Sequence, residues 1–338
     1  MKKTIKRLLL LLTTFGFLYL VFANLDFKEL IVTLKEFDYK CIFFLVCSIF
    51  IALSFRALAY KKLISLTIDN ASLKEFIPLC LTGAALNIVL PARAGDIFRA
   101  FYTGQKYNAN KMKIFGAIML ERIFDGLIIL MMLLCAIFIY HRNPLAQKLC
   151  IGAGLIFISG LIFCIVAFKY NKTDKICQYI ENKTMFLPEN LRSATHNCIK
   201  FINNTCNSFL NGFEILNHPK KLFAIFCSSV GIWVFECLNY FIVINGFNID
   251  VNWSVVLFII PFIALACMIP STSIFIGPYQ VAIIAAFAIY DINKETALAI
   301  SLLEQAVVTI FTSLIAVIFL LKNNISYKEL KEDIKIEK

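Results

Sequence analysis

The charged residues that could carry chemistry concentrate around one proline-containing break in an apolar stretch. The segment Pro91-Ala-Arg-Ala-Gly-Asp96 is followed three residues later by Arg99. A guanidinium binds a phosphate or carboxylate through two parallel hydrogen bonds, and a helix N-terminus near Asp96 would add positive potential. The motif therefore indicates an anion site that includes Arg93, Asp96 and Arg99. The alternative is an Arg93–Asp96 ion pair that only braces the break.

A second charged group, Glu121-Arg122 with Asp125, lies inside the next apolar run. On a helix, Glu121 and Asp125 share a face, and Arg122 can pair with Asp125 at a spacing of three residues. Three ionisable groups within one turn at hydrocarbon depth require a polar interior. We predict that Arg122–Asp125 is a structural pair and that Glu121 faces a cavity. The alternative is a self-neutralised cluster that braces the break.

The corresponding positions late in the chain are less charged and include Ser271, Thr272, Tyr279, Gln280 and Glu304. Hydroxyl and amide groups line a polar path without a full charge, although they also satisfy broken backbone. We predict no catalytic residue, metal site or cofactor, and we interpret the twelve scattered cysteines as small apolar filler. The candidate residues for binding a lipid headgroup are Arg93, Asp96, Arg99, Glu121, Arg122, Asp125, Gln280 and Glu304.

The composition shows which solvent surrounds the elements that position these residues. Hydrophobic residues make up 60% of the chain and charged residues 16%, against about a quarter charged in soluble domains. A soluble core could not cover that much apolar surface, so lipid is the solvent. The net charge of +11 lies mainly in the gaps between apolar runs. It therefore indicates membrane orientation, and no nucleic-acid partner is expected.

The chain is predicted to be an all-α polytopic integral membrane protein with about six full spans. Runs of about 20 apolar residues give these spans. They cover approximately residues 8–23, 41–60, 114–140, 149–168, 222–244 and 296–321.

Two further apolar segments are predicted to be re-entrant helical hairpins. Phe76–Leu90 is too short for a comfortable crossing, ends at Pro91, and has basic residues on both flanks. The stretch from Trp253 to Tyr290 is interrupted at Pro270–Gly277 and has nearly uncharged, weakly acidic flanks. The charge bias predicts that the first hairpin enters from the inside and the second from the outside.

The order of these elements predicts an inverted repeat, with half one at about 41–140 and half two at about 222–321. Arg56 precedes Pro91 by 35 residues, and Glu236 precedes Pro270 by 34. Inverted repeats whose broken helices meet near the midplane are typical of many transporters.

The remaining segments complete the predicted organisation, in which residues 1–322 form one transmembrane domain. Residues 169–221 are predicted to contain a cytoplasmic amphipathic helix on the membrane surface, with apolar residues at helical spacing. Residues 323–338 form a short basic tail. Basic residues place both termini in the cytoplasm, and we expect the protein in a bacterial cytoplasmic membrane.

The segment Asn87-Ile-Val-Leu-Pro-Ala-Arg-Ala-Gly-Asp-Ile-Phe-Arg99, followed by Glu121-Arg122 and Asp125, resembles the transmembrane region of lysylphosphatidylglycerol synthases, also called the flippase-like domain. Ile269–Gln280 is similar to a second element of that family, with Ser273 and Ile274 where Pro-Gly is usual. The resemblance covers roughly residues 5–322. The chain is expected to be a stand-alone member without the soluble synthase domain.

The resemblance implies movement of a phospholipid or lipid-linked envelope precursor between leaflets, with membrane lipids as partners. Two alternatives remain open. One is a non-transporting membrane partner of an envelope-lipid or glycolipid biosynthetic enzyme. The other is an integral membrane glycosyltransferase that uses the acidic pair Glu36 and Asp38; apart from that reading, no enzyme activity is expected.

Overall fold

The computed structural model describes residues 21, 25–68, 71–90, 93–139, 144–171, 173–184, 189–267 and 277–325. Regular secondary structure within these ranges is helical throughout. Nearly all of the predicted first span, the dipeptide Pro91-Ala92, the segment from Pro270 to Ile276 and the tail from residue 326 lie outside them.

The α-helices of the described ranges are numbered in chain order. They are α1 (Phe27–Lys35), α2 (Cys41–Leu63), α3 (Leu73–Val89), α4 (Ala94–Lys106), α5 (Lys111–Ile139), α6 (Pro144–Lys169), α7 (Thr173–Lys183), α8 (Glu189–Asn211), α9 (Pro219–Gly246), α10 (Ser254–Ala266), α11 (Pro278–Phe287) and α12 (Lys294–Lys322).

Five helices are long and apolar enough to cross a membrane: α2, α5, α6 (from Cys150), α9 and α12. They correspond to the predicted second to sixth spans, so the prediction of an all-α polytopic membrane protein is confirmed. Their outer faces carry large exposed apolar side chains, such as Phe163, Phe138 and Leu321. In a lipid solvent such faces need no protein cover, whereas in water they would form large apolar patches.

Helices α3 and α4 form an antiparallel pair in which the start of α3 lies beside the end of α4. Glu75, in the first turn of α3, lies 3.0 Å from the ammonium of Lys106 at the end of α4 and accepts a hydrogen bond from the Tyr107 hydroxyl. The 17 residues of α3 reach about 26 Å, short of a hydrocarbon core of about 30 Å. The chain therefore enters and leaves this pair at the same end.

The α3–α4 pair crosses where two glycines face each other. A Cβ atom on Gly95 would lie 1.9 Å from the carbonyl oxygen of Gly83, so only glycine permits this backbone approach. In lipid, helix association relies on such close contacts between small residues more than on apolar burial. The glycines therefore set the position of α4, and with it Asp96 and Arg99.

Helices α10 and α11 form a second short pair, in which the ring of Phe258 packs edge-on against Tyr290, which follows α11. Packing between elements then recurs in matching sets. The contact of α3 with α12 corresponds to that of α10 with α5. The contact of α4 with α5 corresponds to that of α11 with α12, and α2 packs against its counterpart α9.

The predicted amphipathic helix within residues 169–221 is divided between α7, α8 and a 3-10 helix at Gly212–Asn217. Its C-terminal part is buried against α5, because a Cβ on Gly116 would lie 2.1 Å from the Phe209 carbonyl oxygen. Phe213 is 1% exposed, while Phe201 and Ile202 remain exposed. Part of the apolar face thus packs on protein, and the membrane-surface position of the rest stays a prediction.

Candidate functional site

Three arginines and three acidic residues form one ion-pair network between α2, α4 and α5. Arg99 on α4 reaches Glu121 at 2.9 Å and Asp96 at 3.3 Å. The arginine and Asp96 are each 1% exposed, and Glu121 is fully buried. Buried charges of this kind persist only when each is paired and hydrogen-bonded.

Glu121 is the centre of this network. Its carboxylate accepts from Arg56 at 2.8 Å, from Arg99 at 2.9 Å and from Arg122 at 3.0 Å. We predicted that Glu121 would face a cavity, and the structure differs, because Arg56 from α2 and Arg99 from α4 enclose the carboxylate. Glu121 therefore holds three helices together.

Asp125, one turn further along α5, also has partners on other helices. It pairs with Arg122 at 3.0 Å, as the sequence predicted, and with Arg56 at 3.0 Å. The indole nitrogen of Trp233 on α9 donates to its second oxygen at 3.3 Å. The network is thereby connected to a helix that belongs to the predicted second half.

Neutral side chains fix the orientation of the network. Asn87, near the end of α3, accepts from the backbone nitrogen of Asp96 at 3.2 Å. Tyr60 donates from its hydroxyl toward Thr103 and the carbonyl of Arg99 at 2.9 and 3.2 Å. The Arg99 guanidinium lies 4.4 Å from the centre of the Tyr60 ring, a cation–π distance.

Arg93 lies beside this network and stays outside its pairing. The three arginines and three acids balance one another, so Arg93 adds one positive charge. It forms no ion pair with any residue that the structure describes. The alternative Arg93–Asp96 pair does not form, because Asp96 pairs with Arg99 and Arg122.

The backbone conformation of Arg93 differs from that of a helical residue, which explains why it does not pair with Asp96 at a spacing of three residues. Arg93 is the N-cap of α4 and has left-handed dihedral angles, φ 53° and ψ 43°. Such a conformation is uncommon for a residue with a Cβ and often marks a functional position. The half-buried Arg93 therefore lies immediately before the first turn of α4.

Gln280 and Glu304, the predicted site residues of the second half, form a separate cluster. Glu304 is 7% exposed and accepts a hydrogen bond from the Tyr279 hydroxyl, which lies 2.7 Å from the Tyr240 hydroxyl. Gln280 accepts from the nitrogen of Gly277 at 2.8 Å and donates to Gln305 at 2.7 Å. Within the described ranges, neither Gln280 nor Glu304 contacts an arginine.

Five contributors were not identified as site residues from the sequence: Arg56, Tyr60, Asn87, Trp233 and Tyr240. Tyr60 follows Arg56 by one helical turn, and that spacing places both on one face. Asn87 lies four residues before Pro91 and could have been expected to cap the next helix. Nothing in the sequence indicates that Trp233 or Tyr240 reaches its partner, because those contacts join helices far apart in the chain.

The acidic pair Glu36 and Asp38 lies between α1 and α2. The Asp38 carboxylate accepts from the nitrogen of Lys40 at 3.0 Å, and its own nitrogen donates to the Gly246 carbonyl at 2.8 Å. These contacts give Asp38 a structural role at the start of α2. In the described part of the chain, no three His, Cys, Asp or Glu side chains are grouped to hold a metal ion.

Comparison with known proteins agrees with this architecture. The model of the lysylphosphatidylglycerol synthase transmembrane region matches residues 7–316. The chain belongs to this family. It is also similar to a UPF0104 membrane protein of Methanocaldococcus jannaschii, with 23% identity over 348 aligned positions. That alignment covers 94% of this chain and 95% of the archaeal relative. The protein is therefore a multi-pass membrane protein of this family.

Proposed function

We propose that this protein moves a phospholipid or a lipid-linked envelope precursor between the leaflets of the cytoplasmic membrane. The observation that carries the proposal is Arg93, a half-buried cation at a helix start beside a network that needs no further charge. An unpaired guanidinium at membrane depth is costly unless it binds an anion for part of its working cycle. Every phospholipid carries such an anion in its phosphate.

The helix start next to Arg93 supports a phosphate in particular. Backbone N–H groups in the first turn of α4 add partial positive charge next to Arg93. Arg99 and Arg122 are held by Glu121 and Asp96, so they contribute potential more than direct contacts. Arg93 is the group that would make the bidentate contact.

The matched packing of the two halves supports movement across the bilayer. Helices α2–α5 and α9–α12 pack in corresponding sets, as two halves related by a two-fold axis in the membrane plane would. On that relation the α3–α4 pair would enter from the cytoplasmic side and the α10–α11 pair from the outer side. Alternate opening of the two pairs would expose Arg93 first to one leaflet and then to the other.

The test is lipid exchange in liposomes that contain the purified protein. A fluorescent phospholipid placed in both leaflets is bleached from outside with dithionite, and exchange exposes the protected half. A hydrogen bond to a charged group contributes about 1.5–3 kcal/mol, so Arg93→Ala should slow exchange roughly 10- to 100-fold. Arg93→Lys should retain part of the rate, and exposed Lys62→Ala is the matched control. Equal rates for wild type and Arg93→Ala would remove Arg93 from the site.

A second candidate is a non-transporting partner of an envelope-lipid or glycolipid biosynthetic enzyme, and one observation favours it. Helices α7 and α8, outside the five spans, expose Ile176, Tyr179, Phe201 and Ile202. Such an apolar face fits either the membrane surface or another protein. Co-purification that is lost in a Tyr179→Ser/Phe201→Ser variant, with unchanged membrane insertion and no lipid exchange, would favour the partner role.

A further inference from the structure

We propose that Glu304 is a proton-binding site and that its protonation is coupled to lipid movement. The proton site stands on its own geometry, whereas the coupling rests on the proposed function. The ligand is a single proton, taken from hydronium on one side of the membrane and returned to water on the other. The O–H bond of the carboxylic acid is the bond that forms and breaks.

The contrast between Glu121 and Glu304 is the first argument. Both are buried glutamates on long membrane helices, 26 residues after Gly95 and 27 residues after Gly277 respectively. Glu121 has three arginine partners and stays ionised. Glu304 has a hydroxyl partner and no basic partner within the described ranges. A buried carboxylate without a cation is disfavoured relative to its neutral acid, so Glu304 exchanges a proton while Glu121 does not.

Among the described residues, none forms an ion pair with Glu304. Tyr279 on α11 donates to it, Tyr240 on α9 stands behind Tyr279, and the carboxylates of Glu236 and Glu304 repel each other.

The other helices packed on α12 direct their charges elsewhere. Arg56 of α2 pairs with Glu121 and Asp125, and Glu75 of α3 pairs with Lys106. Helix α1 packs against the N-terminal end of α12, where the Glu29 carboxylate accepts a hydrogen bond from Asn293.

An unsatisfied acceptor beside Glu236, on the helix that carries Tyr240, is the second argument. Asn239 is 1% exposed, and its amide nitrogen donates to Glu236 at 3.4 Å, yet its oxygen has no hydrogen-bond partner among the residues that the structure describes. A buried acceptor without a donor is costly, and a proton-bearing group or water satisfies it. Asn239 directly precedes Tyr240, which begins the hydroxyl series leading to Glu304. The polar side chains on α9, α11 and α12 thus include an acceptor that a protonated group or water would satisfy.

The proton site is tested by infrared spectroscopy of the purified protein during a pH titration. A C=O stretch of a protonated carboxylic acid should appear in wild type as pH falls, before the pH reaches the ordinary carboxyl pKa of about 4.3 at which exposed acids are protonated. It should be missing from that titration in Glu304→Gln, a change that preserves shape. Glu295→Gln, at the half-buried start of the same helix, is the matched control and should keep the band. Tyr279→Phe removes the hydroxyl donor, so its band should persist at a shifted frequency. An unchanged band in Glu304→Gln, or an unshifted band in Tyr279→Phe, would overturn the assignment.

The coupling is tested separately in liposomes with an imposed pH gradient. With one proton per lipid, one pH unit should change the steady-state ratio of labelled lipid between leaflets by about tenfold. Glu304→Gln should exchange lipid without responding to the gradient. If wild type exchanges lipid but ignores the gradient, coupling is wrong and the proposed function stands. If no variant exchanges lipid, the proposed function fails, and the infrared result still decides the proton site.

Discussion

The guanidinium of Arg99 lies 2.9 Å from the carboxylate of Glu121, and the two side chains are almost completely shielded from solvent. They belong to different helices, α4 and α5, so the contact fixes the short helix that follows Arg93 against a full span. The anion site proposed at Arg93 is therefore held by residues that need not touch the lipid themselves.

Removal of one member of this network should strongly destabilise the protein. Glu121→Gln preserves the shape of the side chain but leaves three arginines short of one charge, and breaking a buried pair costs about 3–5 kcal/mol. We expect a clear fall in the thermal midpoint in detergent. Glu214→Gln removes an ion pair with Lys113 whose glutamate side chain is 45% exposed, and it should cost about 0–1 kcal/mol. Equal losses in the two variants would contradict the central role of Glu121.

Gly95→Ala should separate α3 from α4. The added Cβ would lie 1.9 Å from the Gly83 carbonyl oxygen, and backbone cannot move aside as a side chain does. We expect a lower thermal midpoint and loss of lipid exchange together, because Arg93 shifts with the helix start. Gly152→Ala on α6, where nothing lies within 4 Å of the added Cβ, is the control and should behave as wild type.

Tyr60→Phe should weaken the network without changing its charge. The hydroxyl serves both Thr103 and the Arg99 carbonyl, and a buried hydrogen bond contributes about 0.5–1.5 kcal/mol. The ring of phenylalanine keeps the cation–π contact with Arg99. Thermal unfolding should therefore show a smaller loss than Glu121→Gln, whereas Tyr60→Leu should lose the ring contact as well. A Tyr60→Leu variant no less stable than Tyr60→Phe would argue against that contact.

The contact between the start of α3 and the end of α4 should make the stability of the protein depend on pH. The hydrogen bond from Tyr107, together with Lys106, lowers the pKa of Glu75. Because the folded pKa lies below the unfolded one, this stabilisation is present above the ordinary carboxyl pKa of about 4.3 and is lost as pH falls through the folded value.

Glu75→Gln should therefore show a shallower loss of thermal stability on acidification than wild type. The difference should stay within about 1 kcal/mol, because the Glu75 side chain is 44% exposed. Glu36→Gln is a suitable control, since Glu36 is exposed and forms no ion pair with the described residues. A steeper acid loss in Glu75→Gln would reverse the expected sign.

The lengths and positions of the spans could be predicted, because apolar length is a local property of the sequence. Span two was expected from Cys41, where α2 begins, and span six at about 296–321, within α12 at Lys294–Lys322. The short segment that became the α3–α4 pair was identified for the same reason. Pro91, Gly95 and the flanking charges mark a break without any knowledge of the fold.

The pairing of charges could not be predicted in the same way. Arg93 and Asp96 stand three residues apart, which predicts contact only when both lie in one helix. Arg93 precedes the helix in a left-handed conformation, so its side chain departs in another direction. Glu121 was expected to be open because Arg56, 65 residues earlier in the chain, gives no local sign that it will cover the carboxylate. Such contacts depend on packing between helices.

The hydrogen bond from Trp233 to Asp125 means that the intrinsic tryptophan fluorescence of the protein can report on the contact between α9 and α5. The chain has two tryptophans, and the other, Trp253, stands at the start of α10. In a Trp253→Phe background, all indole emission would come from a ring on α9 bonded to a carboxylate on α5. Any displacement of one half of the molecule against the other would then alter emission colour and intensity without an attached dye.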